Sequence, residues 1–320
     1  MALDPRDAQH ALQITAGTTG RKRGHEFEAE LASMINAEPF SGPAPSEHVF
    51  RGAPHTALVN KALSHIGWTE CDNINAIALG SLATAEAGKK WMTVHGIKVK
   101  ACKSDILLTF HQGNNYQTVG VSVKQCDNKT PTNAQLYFTT ATAFCRLLQN
   151  NNIPVSDNAI NALRQFCGDD GFRPLDTPSV VAGRPTDPRR YFWEEIEHLG
   201  RLELESILTN QQDDVTRLLL QKAYLDDPFA PELLIHKTKK IDHGDQEYAL
   251  YAIDELISLS RKYGGFNKKT YSVRKGQYKD PHGVEHEAPR FGVVQMQRGG
   301  QKQHPTQLQF NLQAGYFYKI

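Results

Sequence analysis

Two short runs constrain the fold of this chain more than any other feature. Residues 106–110 (ILLTF) and 119–123 (VGVSV) are apolar stretches with a period of two, and the intervening QGNNY, residues 112–116, has turn chemistry. The spacing predicts strands over 105–110 and 118–124, antiparallel about a turn centred on Asn114 and Asn115. Ile106 then faces Val123, Leu108 faces Val121 and Phe110 faces Val119, which makes one apolar face. On the other face Asp105 comes opposite Lys124 and Leu107 opposite Ser122, so a carboxylate and an ammonium project together at the strand ends.

At 320 residues the chain can bury a large core, as one domain with insertions or as two modest domains. Its composition excludes collagen, a disulfide scaffold and disorder throughout. No run approaches the roughly 18 uncharged apolar residues of a membrane span, and MALDPRDAQH has neither the basic nor the apolar region of a signal peptide. Five widely spaced cysteines without a C-x-x-C pair fit a reducing compartment. The expectation is a soluble, unprocessed, cytoplasmic protein. The balance of 36 basic to 35 acidic residues conceals segregation: residues 201–260 hold 12 acidic and 6 basic residues, whereas 261–320 hold 11 basic and 3 acidic. A basic, amide-rich end of this kind suits a polyanionic partner.

Helical periodicity predicts helices over 24–35, 56–66, 75–89 and 132–149, the last with Thr132 as N-cap and Gln135 at N3. A small hairpin is expected around His95 and Gly96 within 93–99. A short helix over 157–166 and a Pro- and Gly-rich irregular connection over 151–190 follow. Beyond them come a helical block over 191–225 that ends at Pro228 and Pro231, a helix over 247–262, and strands over 270–273, 291–297 and 307–312. The organisation expected is a core over 1–150, the connection over 151–190, and a helical block plus basic region over 191–320. The fold class is α/β (α+β), a mixed sheet flanked by helices with a helical insertion and a basic, β-rich C-terminal part.

An Asp and a Lys fixed at one end of a sheet are what metal-assisted phosphodiester hydrolysis requires. At Ser104-Asp105 and Ser122-Val123-Lys124 the sequence resembles the PD-(D/E)xK nuclease superfamily, and within it the type II restriction endonucleases. Two departures stand out: Ser104 replaces the usual Pro before the aspartate, and Ser122 holds the position of the usual second acid. Many nucleases of this superfamily open with a G-x-x-F-E helix whose glutamate enters the metal site, and Gly24-His25-Glu26-Phe27-Glu28 matches that form. The resemblance extends loosely over 121–144 and 292–312. It implies a restriction-endonuclease-like core with Asp105, Lys124, Glu28 and Ser122 as catalytic residues. Asp105 and Glu28 are the implied Mg²⁺ ligands, with Glu26, Glu30 and Asp127 as further candidates for the second acid. It also implies double-stranded DNA as partner, 5′-phosphate and 3′-hydroxyl products, a homodimer, and a cognate DNA methyltransferase in the same system. A structure-selective repair or recombination nuclease, resembling a junction resolvase, and a non-catalytic DNA-binding protein are the alternatives.

Phosphate contacts are expected from Lys268, Lys269, Arg274, Lys275, Arg298 and Lys302. Base reading is expected from Arg298 to guanine and from Gln297, Gln301, Gln307 and Gln309 to adenine, with Asn311 on the same strand face. His282 and His286, with Glu285 and Glu287 nearby, have no further ligand at zinc spacing and read as a solvated loop. His95 reads as a turn residue, Cys126 as a buried or half-buried thiol, and Trp68, Trp91 and Trp193 as core.

Overall fold

The structure is a computed structural model and describes residues 8–37, 45–79, 92–99, 102–126, 133–181, 188–222, 227–240, 246–263, 265–272, 285–298 and 306–313. In chain order the elements are α1 (Ala8–Ala37), β1 (Val49–Arg51), α2 (Pro54–His65), β2 (Asn73–Ala78), β3 (Met92–Val94), β4 (Ile97–Val99), β5 (Ile106–Gln112), β6 (Asn115–Gln125) and β7 (Ala134–Thr140). There follow α3 (Ala141–Gln149), α4 (Asp157–Cys167), α5 (Pro178–Val181), α6 (His198–Asn210) and α7 (Gln212–Gln221). The chain continues through β8 (Pro231–Lys240), β9 (Gln246–Ala252), α8 (Ile253–Ser260), β10 (Phe266–Ser272), β11 (Glu285–Phe291), β12 (Val294–Arg298) and β13 (Gln307–Leu312). It is an α+β protein with a mixed sheet. No helix among the described residues is long and apolar enough to cross a membrane.

The chain forms two compact units. One combines residues 1–134 with 220–258, and the other combines 135–219 with 259–318. This division differs from the expected boundaries around 150 and 190. The cause is β8, which pairs parallel with β6 and antiparallel with β9, giving the six-stranded order β1-β9-β8-β6-β5-β2. A parallel neighbour cannot be reached by a tight turn and needs a crossover. Here the crossover is everything between Gln125 and Pro231.

In the first unit, Ile106, Leu108, Phe110, Val119, Val121, Val123, Leu233 and Ile235 form one sheet face, and Phe27, Leu31, Ala32 and Ile35 of α1 with Leu58, Ala62 and Leu63 of α2 pack in the same core. The opposite face carries a smaller cluster of Leu79, Val94, Val99 and Leu107. Edge strand β2 is closed by Asn36 of α1, whose side chain donates to Ala76 O at 2.9 Å and accepts from Ala76 N at 2.8 Å. One amide thus supplies the donor and acceptor that a further strand would offer.

Several expectations change. The helix over 75–89 is replaced by β2 over Asn73–Ala78, and residues 80–91, Trp91 among them, lie outside the described residues. The helix over 132–149 divides into β7 and α3, with Thr140 as the N-cap accepting from Ala143 N at 3.2 Å; Thr132 lies outside the described residues. The helix over 247–262 divides likewise into β9 and α8, and β8 was not anticipated. All four differences fall where a run is short enough to satisfy either period and only sheet pairing decides. The hairpin around His95 is present as β3 and β4, His95 having φ 48° and stacking on Tyr116 at 4.4 Å.

In the second unit, β10-β11-β12-β13-β7 form a sheet whose first four strands are antiparallel neighbours. Phe291, Val294, Met296, Leu308 and Phe310 are buried, and Phe144 of α3 meets Phe310 at 4.6 Å between ring centres. Trp193 is fully buried and edge-on to Phe166, as expected of a core residue, and Trp68 packs against the core of the first unit.

Gly120 is where β6 must lack a side chain. A Cβ there collides with Ser104 Oγ and with the carbonyl of Ala230. Gly120→Ala is expected to lower stability by about 1–3 kcal/mol in urea unfolding, the usual cost of forcing atoms into a packed site; an unchanged midpoint and slope would refute this close approach.

Candidate active site

Strands β5 and β6 pair as Ile106 with Val121, Leu108 with Val119 and Phe110 with Gln117. That is two residues from the expected register, because the turn sits at Gly113 and Asn114 with Gly113 at φ 59°. An even slip leaves every side chain on its face. The apolar face therefore persists, and Asp105, Ser122 and Lys124 still share the other one. What changes is the contact: Asp105 N donates to Val121 O at 2.8 Å, placing Asp105 across from Ser122, and Lys124 reaches back to it.

One oxygen of Asp105 takes the hydrogen bonds. Its Oδ2 accepts from Val123 N at 2.6 Å, from Ser122 Oγ at 3.2 Å and from Lys124 Nζ at 3.2 Å. Lys124 Nζ also donates to Val123 O at 2.9 Å. The carboxylate is thereby locked in rotation, while Oδ1 receives no hydrogen bond among the described residues. Ser122 is buried and its hydroxyl orients Asp105.

Glu28 is buried on α1, one residue beyond the core residue Phe27. His25, one turn earlier, donates from Nδ1 to Glu28 Oε2 at 3.2 Å. Burial raises the Glu28 carboxyl above the ordinary carboxylate range and the negative charge of Asp105 raises it further, against the opposing effects of His25 and Lys124. The helix thus brings a second carboxyl within electrostatic reach of Asp105. Glu26 and Glu30 are exposed, Glu26 lying 3.9 Å from Lys22, and Asp127 is outside the described residues.

The segment before Asp105 is tied to the approach of β8. Asp227 Oδ2 accepts from Lys103 N at 2.5 Å, and Phe229 O accepts from Ser104 Oγ at 2.6 Å. These bonds restrain the two residues immediately before Asp105. Two basic groups near the site were not singled out from the sequence. Lys103 is half-buried, and burial first and the Lys124 charge second push it down to about 8. His236, beside Lys124 on β8, is buried and pushed down to about 4 by burial and then by Lys124, so it is neutral at physiological pH. No sequence signal links 236 to 124, because only the parallel pairing brings them together.

Two carboxylates with open oxygens, an ammonium and a saturated orienting shell match a hard divalent cation of the magnesium type, which takes one or two carboxylates and completes its shell with water and phosphate. Among the described residues no group of three or more His, Cys, Asp or Glu side chains is placed to hold a metal ion. The five cysteines are free thiols, and Cys126 is buried as expected.

The residues expected to contact DNA fall in the second unit. Arg298 donates from Nη1 to Tyr191 O at 2.7 Å and its guanidinium lies 4.4 Å from the Phe192 ring centre, so its fork is engaged in packing. Lys268 is paired with Glu287 at 2.8 Å, whereas Lys269 is exposed. Gln297 and Gln309 stand opposite each other on β12 and β13, and Gln307 is half-buried. Arg274, Lys275, Gln301 and Lys302 lie outside the described residues. His286 corrects the solvated-loop reading: it is buried on β11, stacked on Phe192 at 3.3 Å, with Nδ1 2.7 Å from Glu194 Oε1; His282 is outside the described residues.

No protein-family model matches the sequence, and no curated protein matches it.

The raised Glu28 carboxyl fixes the sign of a stability test. A group whose folded value lies above its unfolded one contributes stability at low pH and loses it as pH rises through the folded value. Glu28→Gln, which mimics the protonated acid, is expected to melt above the parent at pH 8 in EDTA, with the difference closing on acidification. A lower melting temperature for the variant at pH 8 would contradict the raised Glu28 carboxyl.

Proposed function

We propose that this protein is a Mg²⁺-dependent, sequence-specific endonuclease of double-stranded DNA with a restriction-endonuclease-like core. The observation that carries the reading is Asp105, with Lys124 and the Val123 amide on one oxygen and Glu28 buried nearby. An ordinary surface ion pair needs neither the buried second acid nor the saturated oxygen. The basic C-terminal segment, 11 basic to 3 acidic residues over 261–320, supports a phosphate-rich partner.

In hydrolysis a water oxygen bonds to phosphorus, the P–O3′ bond breaks and the 3′ oxygen leaves with a proton, giving 5′-phosphate and 3′-hydroxyl ends. Asp105 and Glu28 would hold Mg²⁺, which when bound acidifies its water and offsets charge on the phosphate. With Oδ2 held by Val123, Ser122 and Lys124, Asp105 would have Oδ1 to offer a cation. Lys124 holds its ammonium beside Asp105 Oδ2, from where it can hydrogen-bond the attacking water or a phosphate oxygen. His25 steadies Glu28, and Ser122 replaces an acid with a neutral donor, so the site carries two carboxylates in place of three. Cutting both strands of a duplex calls for two such sites, which a homodimer supplies, and a host containing the cognate sequence needs a DNA methyltransferase to protect it.

Incubation with phage DNA and Mg²⁺, followed by sequencing of the fragment ends, is expected to give discrete ends at one short sequence. Cutting confined to branched duplexes would indicate a junction-directed enzyme, and binding without any product a non-catalytic DNA-binding protein. Asp105→Ala and Lys124→Ala are each expected to lower the cleavage rate by at least about 10²-fold, the scale for loss of one preorganised electrostatic group, while binding measured in Ca²⁺ changes little. Full activity in either variant would overturn the assignment.

A further inference from the structure

The sheet of the second unit carries on one face a chain of carboxamides that begins at an arginine. The register sets Asn267, Arg290, Gln295 and Asn311 opposite one another across four strands, with Gln297 and Gln309 as the next pair on the same face. Arg290 donates from Nε to Asn267 Oδ1 at 3.1 Å and from Nη1 to Gln313 Oε1 at 3.0 Å. Gln313 donates to Gln295 Oε1 at 2.8 Å, and Gln297 donates to the same oxygen at 2.8 Å. Asn311 donates to Gln297 Oε1 at 3.2 Å and accepts on Oδ1 from Gln309 at 3.0 Å.

The polarity of this chain follows from its first member. A guanidinium cannot accept a hydrogen bond, so Gln313 must turn its oxygen to Arg290 and its nitrogen to Gln295. Gln295 must then present oxygen, which leaves Gln297 to give nitrogen there and to offer its oxygen to Asn311. The same logic fixes Asn311, which is buried, and then Gln309. A carboxamide alone can flip at little cost; these cannot without breaking a neighbour's bond. Gln297 and Gln309 remain half-exposed at the end of the pair; Gln297 keeps a second N–H beyond the one used in the chain, and Gln309 Nε2 also reaches Gln135 Oε1 over a longer 3.5 Å. No carboxylate takes part in the chain among the described residues, and the exposed Lys269 stands two residues along β10 from Asn267 on the same face.

An oriented carboxamide offers an acceptor and a donor side by side. Phosphate oxygens only accept and would waste the acceptor, whereas the adenine edge in the major groove presents N6–H and N7 in the complementary order. β12 and β13 are inner strands, between β11 and β7, so the two glutamines are presented from a sheet face toward the base edges. We propose that Gln297 and Gln309 read adenines of A·T pairs in the target, and that Arg290 is the positioning residue that orients them. The inference rests on the DNA-directed reading of the protein but not on its chemistry of cleavage.

The test selects randomised duplexes on the full chain in Ca²⁺ and sequences the bound fraction. The parent is expected to enrich one short motif containing A·T pairs. Gln297→Ala and Gln309→Ala should each lose preference at one A·T position by about 5- to 150-fold, the range for a bidentate base contact. Arg290→Ala should relax both positions together. All three should keep non-specific affinity at low salt within about threefold, because no phosphate contact is removed. Since Arg290→Ala could disturb the sheet, near-ultraviolet circular dichroism is compared, and the half-exposed Gln309→Ala decides if that variant unfolds. An unchanged motif in the glutamine variants, a parent that enriches no motif, or a loss of affinity equal on all sequences would overturn the proposal. Cleavage in Mg²⁺ is scored apart. Discrete cutting by a parent whose glutamine variants select the same motif removes the reading surface alone. A variant-sensitive motif with no cutting by the parent supports the surface and removes the nuclease.

Discussion

The parallel pairing of β6 with β8 is the constraint on which the first unit depends. It places β6 in the sheet interior, with β5 on one side and β8 on the other, so the strand that carries Ser122 and Lys124 is held along both edges. It also requires the long excursion through 126–230, and the chain uses that excursion to build half of a second unit. The segment leading into β8 returns to pin Lys103 and Ser104 through Asp227 and Phe229, immediately before the aspartate that gathers the site. Gly120 is needed for this approach, since any side chain there meets Ser104 and Ala230.

The same economy governs the electrostatics. Asp105 and Glu28 repel each other, and burial of Glu28 makes its charged form costly. Lys124 offsets part of this while sitting on the oxygen that the backbone has already taken, and the oxygens left open are those a divalent cation would use. His236 contributes no opposing charge because burial keeps it neutral. Ser122 adds a neutral donor to Asp105, and the first helix brings the Glu28 carboxyl into its field from far along the sequence.

Much of the site was legible in the sequence. The period of two aimed Asp105, Ser122 and Lys124 at one face, and because the register error was even, the faces survived it. The helical period of α1 placed Glu28 next to the buried Phe27. The basic, amide-rich sheet was less legible. Arg298 looked available for base recognition because a strand pattern says nothing of an aromatic ring and a carbonyl waiting from 191–192, while Arg290, adjacent to Pro289 and Phe291, drew no attention. His286 likewise lay in a stretch rich in turn residues, and only its stacking on Phe192 shows why a histidine is buried there.

From the sequence alone follow the alternation that makes one hairpin face apolar, the carboxylate and ammonium on the other, the G-x-x-F-E helix, and the segregation of charge toward the C-terminal end. These are local properties, set by side-chain period and composition. The tertiary structure alone decided that β8 and β9 are strands, that Glu28 stands within the field of Asp105, and that Arg290 orders a row of carboxamides. Each of these depends on partners far along the chain, and a short apolar or amide-rich run takes its conformation and its polarity from the neighbour it pairs with.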